Sequence, residues 1–226
     1  LDERPNDVAI QSDGKIVVVG YRDGAAAFTS DHLVTRFNAD GSLDTTFSGD
    51  GYFTVGDVGQ YGSSQAVAIQ SDGKIVVAGG AGVSSSTAFI FRLEPDGDLD
   101  PTFSGDGIQT IISTGTVQSM ALASDGKIVV STYFGGGAFP SGYLTYVIRL
   151  NTDGSLDTSF DGDGKRLIND VTSQTVHYPY GTAIQTDGKI VVAGRTSTNI
   201  TLFDIVMVRL NTNGSFDTSF DGDGVV

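Results

Sequence analysis

Short apolar runs alternate with Asp-Gly pairs along the whole chain. In the first case Val8–Ile10 leads into the turn triplet Asp13-Gly14-Lys15, and the β-branched run Ile16–Val19 follows. The same triplet returns at Asp72-Gly73-Lys74, Asp125-Gly126-Lys127 and Asp187-Gly188-Lys189. Apolar and β-branched runs of this length, bounded by Asp and Gly, are typical of strands joined by hairpins. We expect a two-residue type I′ turn at each Asp-Gly pair.

A second block repeats with the same period. It reads Arg-(Phe/Leu)-x-x-(Asp/Asn)-Gly-x-(Leu/Phe)-Asp-x-(Thr/Ser)-Phe-x-Gly-Asp-Gly and begins at Arg36, Arg92, Arg149 and Arg209. The steps between these arginines are 56, 57 and 60 residues. Self-similarity at a fixed period is the signature of a repeat architecture. We therefore predict one domain, residues 1–226, made of four units at approximately 1–55, 56–112, 113–169 and 170–226.

Each unit contains four predicted strands. The first strand is small and apolar at nearly every position, so we expect a buried inner strand. The fourth strand is predicted at Tyr52–Val55, Ile108–Ile112, Arg166–Ile168 and Val225-Val226. Four-stranded antiparallel units at this spacing predict an all-β fold, a β-propeller built from four repeated four-stranded blades. The alternative is an open β-solenoid. The four units would form a four-bladed ring or half of a larger propeller that a homodimer or further chain completes.

Composition and charge narrow the function classes. The formal net charge is −14, with 27 acidic and 13 basic residues. Such a surface disfavours nucleic acid as a partner, because that affinity depends on Lys and Arg. No apolar run is long enough to predict membrane insertion. The charge is compatible with an extracellular or bacterial cell-surface location and with calcium. Cysteine is absent, which excludes disulfides, thiol catalysis and Cys-ligated zinc.

Two sets of repeated residues are candidates for charge chemistry. Each repeated arginine precedes an aspartate by eight residues, which predicts structural ion pairs; the pairs are Arg36 with Asp44, Arg92 with Asp100, Arg149 with Asp157 and Arg209 with Asp217. The acidic Gly-rich turns of the last two units supply oxygen ligands of the kind that calcium uses. The candidate calcium ligands are Asp157, Asp161, Asp163, Asp217, Asp221 and Asp223. Turn geometry alone also accounts for Asp and Gly at these positions.

Aromatic residues cluster in two loops that do not repeat. Aromatic side chains on Gly- and Pro-rich loops of a rigid scaffold are typical of binding surfaces. The candidate ligand-binding residues are Tyr133, Phe134, Phe139, Tyr143, His177, Tyr178 and Tyr180. The alternative is that these rings pack beneath their own loops.

The repeated strings resemble the delta-60 repeat family, a bacterial β-propeller repeat. The resemblance rests on GSLDTSFDGDG (Gly154–Gly164), GSFDTSFDGDG (Gly214–Gly224) and AVAIQSDGKIVVAGG (Ala66–Gly80). It covers essentially the whole chain and implies a propeller in large exported or surface proteins of bacteria, with no catalytic residues to transfer. The chain departs from the repeat pattern at one position: unit three has Ala123 where the other units have glutamine.

These observations together predict a function without catalysis. We expect a non-enzymatic structural, adhesive or interaction module of a bacterial extracellular or cell-surface protein, with a protein or glycan as its partner. The alternative is a carbohydrate-binding, lectin-like propeller that uses the Tyr-rich loops. The sequence begins at Leu1 rather than Met, so we expect a processed form or a fragment.

Overall fold

The computed structural model describes residues 2–24, 29–56, 61–82, 87–135, 143–168, 178–199 and 202–226. Within these ranges the chain contains β-strands and turns and no helix, and therefore no helix that could cross a membrane. The strands are β1 (Glu3–Ile10), β2 (Ile16–Asp23), β3 (Ser30–Phe37), β4 (Tyr52–Val55), β5 (Gly62–Ile69), β6 (Ile75–Ala81), β7 (Thr87–Leu93), β8 (Ile108–Ile112), β9 (Thr116–Leu122), β10 (Ile128–Gly135), β11 (Tyr143–Leu150), β12 (Lys165–Leu167), β13 (Tyr178–Ile184), β14 (Ile190–Asn199) and β15 (Leu202–Leu210).

These strands form four antiparallel sheets, one for each predicted unit. Sheet 1 has the order β1-β2-β3-β4, sheet 2 the order β5-β6-β7-β8, sheet 3 the order β9-β10-β11-β12 and sheet 4 the order β13-β14-β15. In sheet 4 a bridge between Val208 and Val225 marks the place of the fourth strand. Within each sheet, strands that follow one another in the chain are hydrogen-bonded neighbours and run antiparallel. The predicted fold class, an all-β β-propeller of four repeated sheets, is confirmed.

The chain divides into two compact units, the first at Leu1–Ile112 and the second at Ser113–Val226, and each of them spans two of the four repeats. Each unit contains two sheets, and the division falls at the predicted boundary between the second and third repeats. The first unit has an apolar core that includes Val17, Val34 and Phe91, and the core of the second includes Val129, Val192 and Val206. A single twisted sheet leaves both faces exposed, and pairing two sheets buries one face of each.

The first strand is not the buried inner strand that the sequence predicts. In every sheet it is an edge strand that pairs with one neighbour. In β1 the side chains of Val8 and Ile10 are 57% and 70% exposed, whereas every residue of β6 is buried. The apolar pattern gives the number of apolar positions in a strand, but it does not say whether that strand lies at an edge.

The Asp-Gly turns are also longer than predicted. The backbone N–H of Gly14 donates to the carbonyl oxygen of Gln11 at 2.9 Å, and that of Gln11 donates to the carbonyl oxygen of Lys15 at 2.8 Å. Gly14 has a φ of +85° and Asp13 keeps an ordinary negative φ. This is a three-residue hairpin loop, a type I turn followed by a left-handed glycine, rather than a two-residue type I′ turn. The Asp13 carboxylate accepts the N–H of Lys15 and stabilises the turn.

Candidate functional site

A Lys–Asp–Arg triad recurs in all four sheets. The aspartate Oδ2 accepts hydrogen bonds from both cations at 2.6–2.9 Å, and the arginine guanidinium lies 4.5–4.9 Å from the centre of a phenylalanine ring. The triads are Lys15–Asp44–Arg36, Lys74–Asp100–Arg92, Lys127–Asp157–Arg149 and Lys189–Asp217–Arg209. All four predicted Arg–Asp pairs are therefore in contact, and the lysine of each Asp-Gly-Lys turn joins them.

Hydrogen bonds keep these aspartates ionised although they are buried. The Thr46 hydroxyl, helped by Lys15 and Arg36, holds the pKa of Asp44 well below its usual range and outweighs the opposing effect of burial. Burial alone would raise the pKa of Asp157, but Lys127, Ser159 and the charge of Arg149 outweigh it and lower that pKa. Such a carboxylate does not take up a proton near neutral pH.

A cleft of about 850 Å³ lies between sheets 3 and 4, next to one of these triads. Its polar lining includes Lys127, Arg149 and Ser159 from sheet 3 and Gln185 and Thr212 from sheet 4. Apolar side chains contribute as well, namely Leu122, Val129, Ile184 and Ile190. A volume of this size and a mixed lining are typical of small-molecule sites.

A single residue difference leaves one hydrogen-bond acceptor position in this cleft unoccupied. In sheet 1 Gln11 is 8% exposed, and its Oε1 accepts from Nη1 of Arg36 at 3.5 Å while its Nε2 donates to the carbonyl oxygen of Gly73 in sheet 2. In sheet 2 Gln70 Oε1 accepts from Nη1 of Arg92 at 3.4 Å. The equivalent residue of sheet 3 is Ala123, whose methyl side chain leaves this acceptor position empty beside Arg149.

Arg149 and Lys127 keep hydrogen-bond donors available in the cleft. The Arg149 guanidinium donates to Asp157, to the carbonyl oxygen of Thr212 at 2.5 Å and to Oγ of Ser159 at 3.1 Å. A guanidinium has five N–H groups and an ammonium has three. Among the described residues, one N–H on each Arg149 Nη and two on Lys127 Nζ therefore have no partner. The two cations exceed the single charge of Asp157 by one.

The predicted aromatic residues are brought together only in part. The rings of Tyr133 and Tyr178 stack with centroids 4.4 Å apart, and Arg195 lies 4.1 Å from the centre of the Tyr178 ring. Tyr180 follows on β13 and is 63% exposed, and Phe134 is half-buried on β10. Phe139 and His177 lie outside the described residues, as does the side chain of Tyr143. This cluster lies at the end of β10 and β13 opposite the cleft.

The candidate calcium ligands lie in two acidic segments, Asp157–Asp163 in sheet 3 and Asp217–Asp223 in sheet 4. Both carboxylate oxygens of Asp157 and of Asp217 accept from their triads and from Ser159 or Ser219. Asp161 pairs with Arg166, whereas Asp163 and Asp223 accept backbone N–H groups two residues further on. Asp221 adopts a left-handed φ of +52°. Within the described ranges no three acidic or histidine side chains converge on one point, and calcium binding stays a prediction.

The sequence does not predict the cleft: of its lining residues only Arg149 is a predicted site residue, and it is predicted only as the ion-pair partner of Asp157. Ala123 was visible as the departure from glutamine in the third repeat, but its position between two sheets depends on the tertiary structure. Gln185 and Thr212 belong to repeated blocks and gave no separate signal.

The repeats match a known family model. The model described as "Domain of unknown function (DUF5122) beta-propeller" matches residues 11–47, 70–103, 123–160 and 185–220, which together make up more than half of the chain. The predicted kinship with a propeller repeat family is thereby confirmed, and the delta-60 name is not tested. No curated protein sequence matches the chain.

Solved structures with a similar fold include enzymes. An ulvan lyase of a polysaccharide lyase family is 12% identical with a TM-score of 0.56, and the match covers 95% of this chain and 57% of the lyase. A protein of unknown function from Dyadobacter fermentans is 12% identical with a TM-score of 0.55, over 94% of this chain and 66% of that one. A gluconolactonase from Xanthomonas campestris is 17% identical with a TM-score of 0.49, over 94% of this chain and 60% of that one. The chain thus spans 57–66% of the length of these proteins. The two matches with TM-scores above 0.5 show a shared fold and, at 12% identity, nothing beyond it.

These matches correct the predicted function. The expectation of a non-enzymatic structural or adhesive module, with lectin-like carbohydrate binding as its alternative, is wrong, because it treated the propeller repeat as a sign of a scaffold. The ulvan lyase has the same architecture, and one fold serves many functions. That this chain itself is not an enzyme stays a prediction.

Proposed function

We propose that this chain, which belongs to the DUF5122 β-propeller family, binds a small carboxylate-containing molecule in the cleft between sheets 3 and 4. The observation that carries the proposal is Ala123, which stands where the other three repeats have glutamine. The substitution removes the side chain that bridges two sheets in the first unit and leaves the donors of Arg149 open to a ligand.

The glutamine of the other repeats indicates where the ligand oxygen binds. Gln11 and Gln70 each place a carbonyl oxygen 3.4–3.5 Å from Nη1 of the neighbouring arginine. In the cleft, a carboxylate oxygen takes this position beside Arg149. A carboxylate carries the charge opposite to that of the guanidinium and can accept two parallel N–H bonds from it, so a carboxylate is preferred to a neutral amide.

The remaining lining defines the rest of the ligand. Lys127 provides a second cation whose side chain is 28% exposed, and its spare N–H groups suit the second carboxylate oxygen. Leu122, Ile184 and Ile190 offer apolar surface for a short hydrocarbon body. Gln185 lines the opposite side and can both donate and accept a hydrogen bond.

The proposal is tested by titrating the full chain with small carboxylates, namely acetate, butyrate, benzoate and succinate, in a calorimeter and by ligand-observed NMR. We expect saturable binding of at least one of them to the wild-type chain. The variant Ala123→Gln restores the side chain of the other repeats and places its amide oxygen at the acceptor position beside Arg149, so binding is expected to be lost while the thermal midpoint is unchanged or raised. Equal binding by the two proteins, or binding by neither, contradicts the proposal.

The first unit offers a matched control. Gln11→Ala removes the bridging side chain from the equivalent position between sheets 1 and 2. Combined with Ala123→Gln, this change is expected to restore carboxylate binding at the new position beside Arg36. If the double variant does not bind the carboxylate, Arg36 and its surroundings lack something that the sheet 3 cleft provides. Replacing the glutamine by alanine would then not be sufficient to create the site.

We further propose that the repeats are of the delta-60 type and that the protein acts outside a bacterial cell with calcium on its acidic turns. The quoted repeat strings and the net charge of −14 support this. Thermal melts with calcium and with a chelator test the calcium part, and identical midpoints would remove it.

A further inference from the structure

Two tyrosines from neighbouring sheets are in face-to-face contact. Tyr133 lies near the end of β10 in sheet 3, and Tyr178 is the first residue of β13 in sheet 4. Their ring centroids are 4.4 Å apart with an interplanar angle of 24°, and their hydroxyl oxygens are 3.1 Å apart. The rings are thus aligned with hydroxyl next to hydroxyl, so that the ring carbons ortho to the hydroxyls face each other.

A third side chain holds this arrangement in place. Arg195 is the cross-strand partner of Tyr178, and its guanidinium carbon lies 4.1 Å from the Tyr178 ring centre. At these separations Arg195 and Tyr133 cannot share one face of the ring, so Tyr178 lies between them. Cation–π contact and stacking together restrict the ring to one orientation.

We propose that Tyr133 and Tyr178 are a site of oxidative modification and form an intramolecular dityrosine cross-link when the protein meets a peroxidase and hydrogen peroxide. Each phenol loses one electron and one proton to give a phenoxyl radical. The two radicals couple through a carbon–carbon bond between ortho carbons, and the two ortho hydrogens move to the oxygens to restore the phenols. The peroxide receives both electrons and both protons and leaves as two waters.

Composition and geometry both favour this pair. The chain has no cysteine and no tryptophan, so the side chains that most readily compete for a one-electron oxidant are absent from the sequence. Groups held in near-contact react with an effective concentration that far exceeds that of groups meeting by diffusion. The bond would join β10 to β13 at the end opposite the Ala123 cleft, across a separation of 45 residues.

The test treats the purified chain at low concentration with a haem peroxidase and limiting hydrogen peroxide. We expect the intact mass to fall by two hydrogen atoms, dityrosine fluorescence to appear and the mapped peptides to join Tyr133 to Tyr178. Tyr133→Phe and Tyr178→Phe are each expected to abolish all three signals. Tyr180→Phe is the matched control, because this neighbouring tyrosine is 63% exposed and lies outside the stack.

The outcomes separate the cross-link from ordinary surface oxidation. A gain of oxygen without loss of hydrogen, a link that joins two molecules, or a dityrosine signal that survives Tyr133→Phe would each overturn the proposal. A physical link between the sheets also predicts that oxidation raises the thermal midpoint of the wild-type chain and of Tyr180→Phe but not that of Tyr133→Phe, since a cross-link restricts the unfolded chain.

Discussion

The Lys–Asp–Arg triads place charged side chains in buried positions, where each charge depends on its partner. Asp100 is fully buried, and Arg92 beside it is only 6% exposed. Replacing Asp100 with asparagine removes the buried carboxylate that pairs with Arg92 and Lys74, so we expect Asp100→Asn to lower the free energy of unfolding by roughly 3–5 kcal/mol. The measurement is urea unfolding followed by circular dichroism.

The control for this variant is Asp163→Asn, because the Asp163 side chain is 59% exposed and pairs with Lys165 only at 3.5 Å. An exposed pair of this kind contributes at most about 1 kcal/mol. Similar losses in the two variants would show that burial does not determine how much the triad contributes to the free energy of unfolding.

The triads also show which side-chain contacts can be predicted from the sequence. A constant spacing of eight residues predicts each Arg–Asp pair, because both residues lie on one hairpin. The lysine comes from a turn 26–30 residues before its aspartate. That turn is explained by its Asp and Gly alone, so nothing in the repeat indicates where the ammonium group lies.

Among the structural elements, the second turns of sheets 2 and 4 pack against the preceding sheet, whereas a Cβ at Gly41 in the second turn of sheet 1 would meet no atom within 4 Å. In the first unit the carbonyl oxygen of Asp96 accepts the N–H of Ser48 at 2.8 Å. A Cβ on the neighbouring Gly97 would lie 2.8 Å from that nitrogen and 2.9 Å from the Phe47 ring. The turn of sheet 2 therefore packs directly on the backbone of sheet 1, and the absence of a side chain at Gly97 is what allows it.

This contact gives a paired prediction. Gly97 and Gly222 have similar left-handed φ values of +102° and +92°, but a Cβ at Gly222 meets no atom within 4 Å. Gly222→Ala is expected to cost about 1 kcal/mol through its φ alone, and Gly97→Ala roughly 2–5 kcal/mol because overpacking is added. Chemical unfolding of both variants checks the difference. Equal losses in the free energy of unfolding would mean that the backbone of sheet 1 moves away from the Gly97 turn at no measurable cost.

Strand positions were more predictable than strand environments. The predicted Tyr52–Val55 and Ile108–Ile112 coincide with β4 and β8, because β-branched runs ending at Gly-rich turns leave little choice. The edge position of β1 and the three-residue loop at Gly14 were not predictable. The first depends on which strand pairs on both sides, and the second on a backbone conformation that Asp-Gly permits in more than one turn type.

At the scale of the whole molecule, each of the two compact units has one side chain that caps an edge strand, that is, accepts a backbone N–H from the neighbouring sheet. The Asp7 carboxylate accepts the N–H of Val67 across the two sheets of the first unit, and Oγ of Ser119 accepts that of Thr182 in the second, each at 2.9 Å. The equivalent positions in sheets 2 and 4 are Ala66 and Gly181, whose side chains offer no acceptor. The repeat is therefore organised in pairs of sheets as well as in single sheets.

Hydrogen exchange can test the caps. Asp7→Ala leaves the Val67 amide without its acceptor, so we expect faster exchange there and in the neighbouring strands of Leu1–Ile112. Ser119→Ala is expected to do the same for Thr182 within Ser113–Val226. The prediction fails if either substitution leaves the exchange of its partner amide unchanged, because the cap would then not determine protection.

As the pH is lowered from neutral, we expect the free energy of unfolding to decrease in two stages. The ring of His32 is 1% exposed, bonds to Ser64 and stacks on Phe89, and burial lowers its pKa to about 3. The unfolded chain takes up this proton below about pH 6.5, whereas the folded chain does not, so stability declines by up to about 1.4 kcal/mol per pH unit as the pH falls. The triad aspartates have lowered pKa values, and their contribution is fully present above their unfolded pKa of about 3.9 and is lost only below it.

Between about pH 6.5 and pH 4.5 the decline therefore belongs to His32, and below about pH 4 the aspartates add to it. His32→Phe keeps a ring against Phe89 but removes the titrating nitrogens. We expect this variant to lose the first stage and to keep the second in urea unfolding measured across this range. The loss of the Ser64 bond should lower stability equally at every pH, so it shifts the curve without changing its slope. A variant that retains the wild-type slope above about pH 4.5 would show that other groups cause the decline and that His32 binds its proton in the folded protein as well as in the unfolded chain.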